Sequence, residues 1–260
     1  MKKKASSGPP KPPSTPPSRM TEDIRQLLAN LHLRRIADIY DEEMKGAEEN
    51  GRTFNETFAR LLRAQYHYRQ ESALAWRIRR ASLPENWTLE SFPFKLQPGV
   101  SQKQIRTFAE LDFVPRAENI VLIGKTGVGK TGLAMALLLK ALQNGYRGAF
   151  VKAQDLFDEM YASLADRSSR ALLRRLARLH VLVIDELGYL NLRPEQTNIF
   201  FKLMEERYRH HPTIITTNLD YEQWSGFLGH KELTAALLSR LRQYCHTVVI
   251  DGPSLRDPEH

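Results

Sequence analysis

Residues Gly124 to Thr131 read Gly-Lys-Thr-Gly-Val-Gly-Lys-Thr and directly follow the apolar run Ile120, Val121, Leu122, Ile123. A β-branched run, a glycine-rich turn and then good helix formers from Gly132 to Leu139 make the pattern of a loop that cradles phosphate groups. Gly124, Gly127 and Gly129, with Val128 between the last two, supply backbone freedom and close approach that side chains would forbid. Lys130 is placed to reach the β- and γ-phosphates of a nucleoside triphosphate, and the Thr131 hydroxyl to bind Mg2+. Bare N–H groups in the first helical turn, where Gly132 stands, complete the anion site. Lys125 and Thr126 read as solvent-facing loop residues with no chemistry of their own.

Val181 to Glu186 reads Val-Leu-Val-Ile-Asp-Glu, a run apolar enough for a parallel strand buried on both faces and ending in two acids. Asp185 is suited to order a Mg2+ shell, and Glu186 to polarise a water for attack on the γ-phosphate. Thr213 to Asn218 is another buried strand. If it lies between the loop strand and the acid-ended strand, Asn218 comes near the attacking water and senses the γ-phosphate; alone, an Asn at a strand end is a turn residue. Arg240 lies near the end of a helical run, Leu233 to Leu241, and Arg256 follows a last strand, Thr247 to Ile250. Arg240 is the candidate for completing a neighbouring subunit's site, Arg256 for sensing nucleotide within its own, and plain surface charge stays open for both.

The elements that must position these residues alternate strand and helix. Ala149 to Val151 is a short strand, and Asp155 to Leu164, Arg170 to Leu179 and Glu195 to Tyr208 are helices. Gln102 to Leu111 is a helix leading into the loop strand. This predicts an α/β fold, a parallel sheet flanked by helices over residues 102–260. Ahead of it, Thr21 with Glu22 and Asp23 looks like a helix cap, and Ile24, Leu27, Leu28, Leu31, Ile36, Ile39 and Tyr40 recur at helical spacing. The acidic, glycine-containing stretch Asp41 to Gly51 is expected to break that pattern before it resumes from Phe54 to about Arg80. A small all-α N-terminal domain over 21–83 and a linker over 84–101, around Pro84 and Pro93, follow from this reading. Residues 1–20 form a Pro/Ser/Lys-rich tail with a composition that cannot bury a core.

At 260 residues with a net charge of +8, the chain suits a polyanionic partner. Arg63, Arg69, Arg77, Arg79 and Arg80, interleaved with Tyr66, Tyr68 and Trp76, form one candidate surface for double-stranded DNA, and Arg174 and Arg175 belong to a second basic stripe. Guanidinium contacts to phosphates bring affinity without sequence information. A solvated basic helix face is the plainer alternative. The single cysteine, Cys245, excludes an intramolecular disulfide. No run approaches the roughly 20 apolar residues that cross a bilayer, which gives a cytoplasmic reading with no membrane partner.

In order along the chain, these motifs resemble the AAA+ ATPases, and among them the IstB-like ATPases of bacterial insertion sequences, relatives of the helicase loader DnaC. The resemblance rests further on Ala81-Ser82-Leu83-Pro84 with Leu89-Glu90-Ser91-Phe92, on Ile184 to Leu190 (Ile-Asp-Glu-Leu-Gly-Tyr-Leu), and on Leu238-Ser239-Arg240-Leu241. It implies Walker A at Lys130 and Thr131, Walker B at Asp185 and Glu186, sensor 1 at Asn218, an arginine finger at Arg240 and sensor 2 at Arg256. It also implies an AAA+ P-loop core, ATP with Mg2+, homo-oligomeric assembly on DNA and a partner transposase. Ser239 stands where an acid often precedes the finger arginine. A helicase loader of the DnaC type, or a nucleotide-gated DNA-binding scaffold with little turnover, fits the same motifs.

Overall fold

A computed structural model describes Met20–Tyr189 and Leu192–Arg256. The expected tail, apart from Met20, and Leu190 of the Ile184-to-Leu190 string lie outside the described residues. The chain divides into two compact units, Met1–Ala73 and Leu74–His260.

The first unit is helical. Helix α1 (Glu22–Asn30) starts where the Thr21 hydroxyl accepts from the Ile24 N–H, with Glu22 and Asp23 in its positive first turn. Helix α2 (Arg34–Glu49) runs through most of the stretch expected to break, so that expectation is corrected. Its inward face continues unbroken through Ile36, Tyr40, Met44 and Ala47. One interior glycine, Gly46, costs about 1 kcal/mol, which this packing outweighs. Among the acids of this stretch, Glu43 takes Arg52 at 2.9 Å and Arg60 at 2.8 and 3.0 Å. A Cβ on Gly46 would stand 2.8 Å from the Arg52 guanidinium, so the glycine also makes room for that pair. Helix α3 (Phe54–Ala81) opens with a capping box between Thr53 and Glu56. Buried Gln65 accepts from the free N–H groups of Arg35 and Ile36 at the start of α2.

The second unit begins with the last turns of α3, whose Leu74, Ile78 and Ala81 pack into its core. Then come α4 (Gln102–Ala109), β1 (Asn119–Gly124), α5 (Lys130–Gln143), β2 (Gly148–Lys152), α6 (Ala153–Ala165), α7 (Ser169–Ala177) and β3 (Val181–Leu187). They are followed by α8 (Pro194–Arg207), β4 (Thr213–Thr217), the short α9 (Trp224–Leu228), α10 (Lys231–Gln243) and β5 (Cys245–Ile250). The strands form one parallel five-stranded sheet in the order β2-β3-β4-β1-β5. Side chains alternate between its faces. Ile120, Leu122, Val183 and Ile214 meet α5 on one side, while Val121, Ile123, Ile184 and Ile215 meet α6, α7, α8 and α10 on the other. Being covered on both faces explains why these strands read as continuous apolar runs. Residues 84–101 are largely packed: Phe92 and Val100 are buried, and Trp87, Leu89 and Phe94 lie against the α5 side of the core. Among the described residues no helix is long and apolar enough to cross a membrane.

Candidate nucleotide site

Because β4 separates β1 from β3, the C-terminal ends of three neighbouring strands open onto one cleft. Its volume is about 390 Å3, and Lys130, Thr131, Asp185, Glu186 and Arg256 stand on its walls. Gly127 and Gly129 adopt φ of +85° and +93°, values that only glycine takes without strain. No side chain caps α5, so its first N–H groups face the cleft bare. The loop is held from behind. Buried Gln97 donates to the carbonyls of Val128 (3.1 Å) and Pro253 (3.0 Å), and the Leu255 N–H donates to the Gly127 carbonyl.

The Asp185–Glu186 pair is shaped by a bulge. The β3–β4 register shifts between Ile184 and Leu187, and Glu186 sits at φ +60°. Adjacent strand residues ordinarily face opposite ways; here both carboxylates border one cleft, Asp185 buried at 2% exposure and Glu186 exposed. The left-handed conformation costs Glu186 of order 1–2 kcal/mol, and its N–H is taken up by the Thr216 hydroxyl at 2.9 Å. Asp185 Oδ1 accepts from Thr131 Oγ1 at 2.9 Å and from Thr216 Oγ1 at 2.6 Å.

The charges here are held reluctantly. Burial pushes the Asp185 carboxyl above the usual carboxylate range, against the hydrogen bonds from Thr216 and Thr131. Burial likewise pulls Lys130 down, against the attraction of Asp185 and Glu186. Lys130 is 8% exposed, and its Nζ donates to the carbonyls of Gly124 (2.8 Å) and Lys125 (2.7 Å). A desolvated ammonium held only by neutral acceptors gains from a polyanion. A hydroxyl beside a buried carboxylate is an all-oxygen donor set, which fits Mg2+.

Other expected residues fall in different places. Asn218 follows β4 directly and is exposed, its side chain beside Gly188. Arg240 lies outside the cleft, paired with Glu205 at 3.1 Å between α10 and α8. Gly132 packs against the Trp87 indole, which a Cβ would meet at 3.2 Å. Arg63 and Arg69 are exposed in the first unit. In the second, Arg79 and Arg174 are exposed, Arg77 Nε donates to the Leu142 carbonyl at 2.9 Å, and Arg175 pairs with Glu159.

Sequence reasoning missed four residues on this cleft or behind it: Gln97, Trp87, Lys152 and Tyr189. Lys152 ends β2 in register with Asp185, a placement that needs the strand order. Tyr189 carried a signal, an aromatic just after the acid pair, whereas Trp87 lies far ahead of β1 in the chain and carried none. Thr126, expected to be idle, shares a 2.9 Å hydrogen bond with the Tyr189 hydroxyl across the cleft mouth.

Comparison with known proteins agrees with this geometry. The family model described as IstB-like ATP binding protein matches residues 26–260. The ATP-binding protein named for insertion sequence IS5376 of Geobacillus stearothermophilus is 32% identical over 237 residues, 91% of this chain and 94% of that protein. The corresponding protein named for IS21 of Pseudomonas aeruginosa is 32% identical, over 90% of this chain and 88% of its own length. Among solved structures, that of the DnaC helicase loader is 27% identical with a TM-score of 0.54, covering 64% of this chain and 97% of that one. A phosphate loop and acid pair on this sheet order, with a family match over nearly the whole length, place the chain in the IstB-like ATP-binding proteins, as an ATP-binding protein of AAA+ fold.

Proposed function

We propose that this protein is a Mg2+-dependent ATPase that assembles on double-stranded DNA as a homo-oligomer and helps a transposase select or remodel target DNA. The convergence of Lys130, Thr131, Asp185 and Glu186 on one cleft carries the chemical half of this reading. The insertion sequences for which the relatives are named support the biological half.

In this reading the N–H groups after Gly127 and Gly129 bind the phosphates, and Lys130 leaves the loop carbonyls to join them. Thr131 and Asp185 hold Mg2+, which supplies neutralisation of charge on the transferred phosphoryl group. Glu186, turned outward by the bulge, accepts a proton from the attacking water at its carboxylate. Asn218 orients that water. Pro84 and Trp87 offer the base an apolar wall, and Arg256 reads the phosphates from the same chain. Arg240, remote from its own cleft, would serve a neighbour's, so ATP binding would favour the assembly and hydrolysis release it.

The test is ATPase rate and oligomeric state measured together, with and without duplex DNA, at two salt concentrations. Salt-sensitive assembly on the duplex with faster turnover is expected; dilute monomer hydrolysing as fast as the assembly would overturn the shared-site mechanism. The DnaC likeness favours a second reading, a helicase loader, and stimulation by single strands alone would move the assignment there. Unimpaired function in a Glu186→Gln variant would instead select the nucleotide-gated scaffold.

A further inference from the structure

At the opposite end of the sheet from the nucleotide cleft, beside the N-terminal end of β2, lies a hollow of about 290 Å3. Its lining is Trp76, Arg77, Arg80, Arg147, Gly148, Ala149, Arg175, Arg178 and Leu179, five arginines and no carboxylate. The arginines arrive from three places in the chain, the last turns of α3, the turn before β2, and α7 with its C-terminal cap.

Part of this charge is engaged. Arg77 Nε and Arg147 Nη2 donate to carbonyls, those of Leu142 and Arg178, and Arg175 is paired with Glu159 on α6. Arg80 and Arg178 have no ion-pair partner among the described residues. Like charges gathered at this density repel one another and lower the stability of the empty hollow, and an anion with several negative oxygens relieves that repulsion. Guanidinium forks match phosphate oxygens in geometry as well as charge. The aromatic member is also placed for a ligand: Trp76 is 53% exposed, and the Arg80 guanidinium lies over its ring at 5.0 Å from the centroid. A cation-backed indole at the edge of an arginine hollow is a surface on which a nucleobase stacks.

We propose that this hollow binds the sugar–phosphate backbone of nucleic acid, with Trp76 stacking a base that has left its helix. The proposal rests on the DNA-binding reading above and adds its location, a surface separate from the nucleotide cleft. It joins residues that the sequence offered as two unrelated stripes, and brings in Arg147 as a member.

Binding of labelled duplex and single-stranded oligonucleotides to the full chain, titrated across salt concentrations, tests it. The double variant Arg80→Gln/Arg178→Gln leaves the backbone hydrogen bonds in place. It should bind both ligands at least tenfold more weakly at low salt, with a duplex salt slope shallower by about 1.8 for the two lost phosphate contacts. Trp76→Ala should weaken the single strand by roughly tenfold and the duplex less. ATP binding by both variants should equal wild type, which confirms an intact fold. Arg106→Gln/Arg116→Gln, removing the same charge elsewhere, should leave the slope unchanged. An unchanged slope in Arg80→Gln/Arg178→Gln overturns the proposal while leaving DNA binding itself intact, and so does an equal fall in the control pair. If the hollow variant loses only competition by pyrophosphate, the hollow is a small-anion site and the proposal fails. Absence of DNA binding by the wild type at every salt concentration removes this proposal and the DNA half of the proposed function together.

Discussion

The two ends of the sheet both gather positive groups, by opposite physical means. At the C-terminal end the donors are mainly backbone N–H groups and one buried lysine, fixed by glycine turns and by the Gln97 bridge. At the N-terminal end the charge sits on long, largely exposed guanidinium side chains around a hollow. A preorganised, desolvated site discriminates sharply, because each misplaced group is left unsatisfied. A solvated guanidinium cluster is tolerant and screened by salt. Substitutions at the first end should therefore give large, salt-insensitive effects on nucleotide chemistry, and at the second, smaller and salt-dependent ones.

The sharpest break is at Glu186. Glu186→Gln should lower steady-state hydrolysis by roughly 100-fold to 10,000-fold, the range for a lost general base, with ATP affinity kept, because the exposed carboxylate lies outside the loop. Single-turnover and equilibrium nucleotide-binding measurements separate the two quantities. Lys130→Ala should act the other way. Removing a charge-assisted donor costs about 1.5–3 kcal/mol, or roughly 10- to 100-fold in ATP affinity, with little change between low and high salt. Steep salt dependence of that loss would erase the contrast between the ends.

The two ends also differed in how far they could be read from sequence. The phosphate loop and the Asp185–Glu186 pair were legible because each is local, a fixed spacing at one strand end. The fold class followed from strand runs buried on both faces, and the family resemblance from strings such as Ile184 to Leu190. Helix α2 was misread across Asp41 to Gly51 because composition suggested a break while Met44 and Ala47 kept the inward face intact. The bulge at Glu186 leaves no trace in Val-Leu-Val-Ile-Asp-Glu. The arginine hollow was visible only in parts, since Arg80, Arg147 and Arg178 become neighbours through the packing of α3 and α7 about the β2 edge. Arg77 shows the limit of counting charges: its guanidinium holds the end of α5.

Between the extremes stands the bridge at the cleft mouth. Tyr189→Phe removes one neutral hydrogen bond, that to Thr126, worth about 0.5–1.5 kcal/mol. The expected result is a change of a few-fold in nucleotide association and release rates, matched by Thr126→Val and not additive with it. Stopped-flow binding of a fluorescent ATP analogue checks this; additive effects would mean the two side chains act separately.

The smallest expected effect belongs to the N-terminal end and depends on pH. His180 Nδ1 accepts from the Arg147 N–H at 3.1 Å, and its ring lies 5.4 Å from that of His211. Burial holds both imidazoles below their ordinary value of 6.5, with Arg147 adding to the shift of His180, and Arg207, His180, His210 and Arg147 to that of His211. Well above 6.5 both are neutral in either state and contribute no slope. As pH falls below 6.5 the unfolded chain takes up protons first, so stability declines until the folded-state values are passed. Thermal unfolding of wild type and His180→Gln across that window should show the slope reduced in the variant. Protonating His180 in the folded protein also breaks its acceptance from Arg147 and sets two cations together, a cost that a bound polyanion beside Arg147 offsets. Nucleic acid should therefore stabilise the wild type more at acid pH than at neutral pH, with a smaller difference in the variant, where only His211 remains to titrate near Arg147. Equal stabilisation of the wild type across the window would separate the histidines from the arginine hollow, leaving them as packing residues of the lower edge of the sheet.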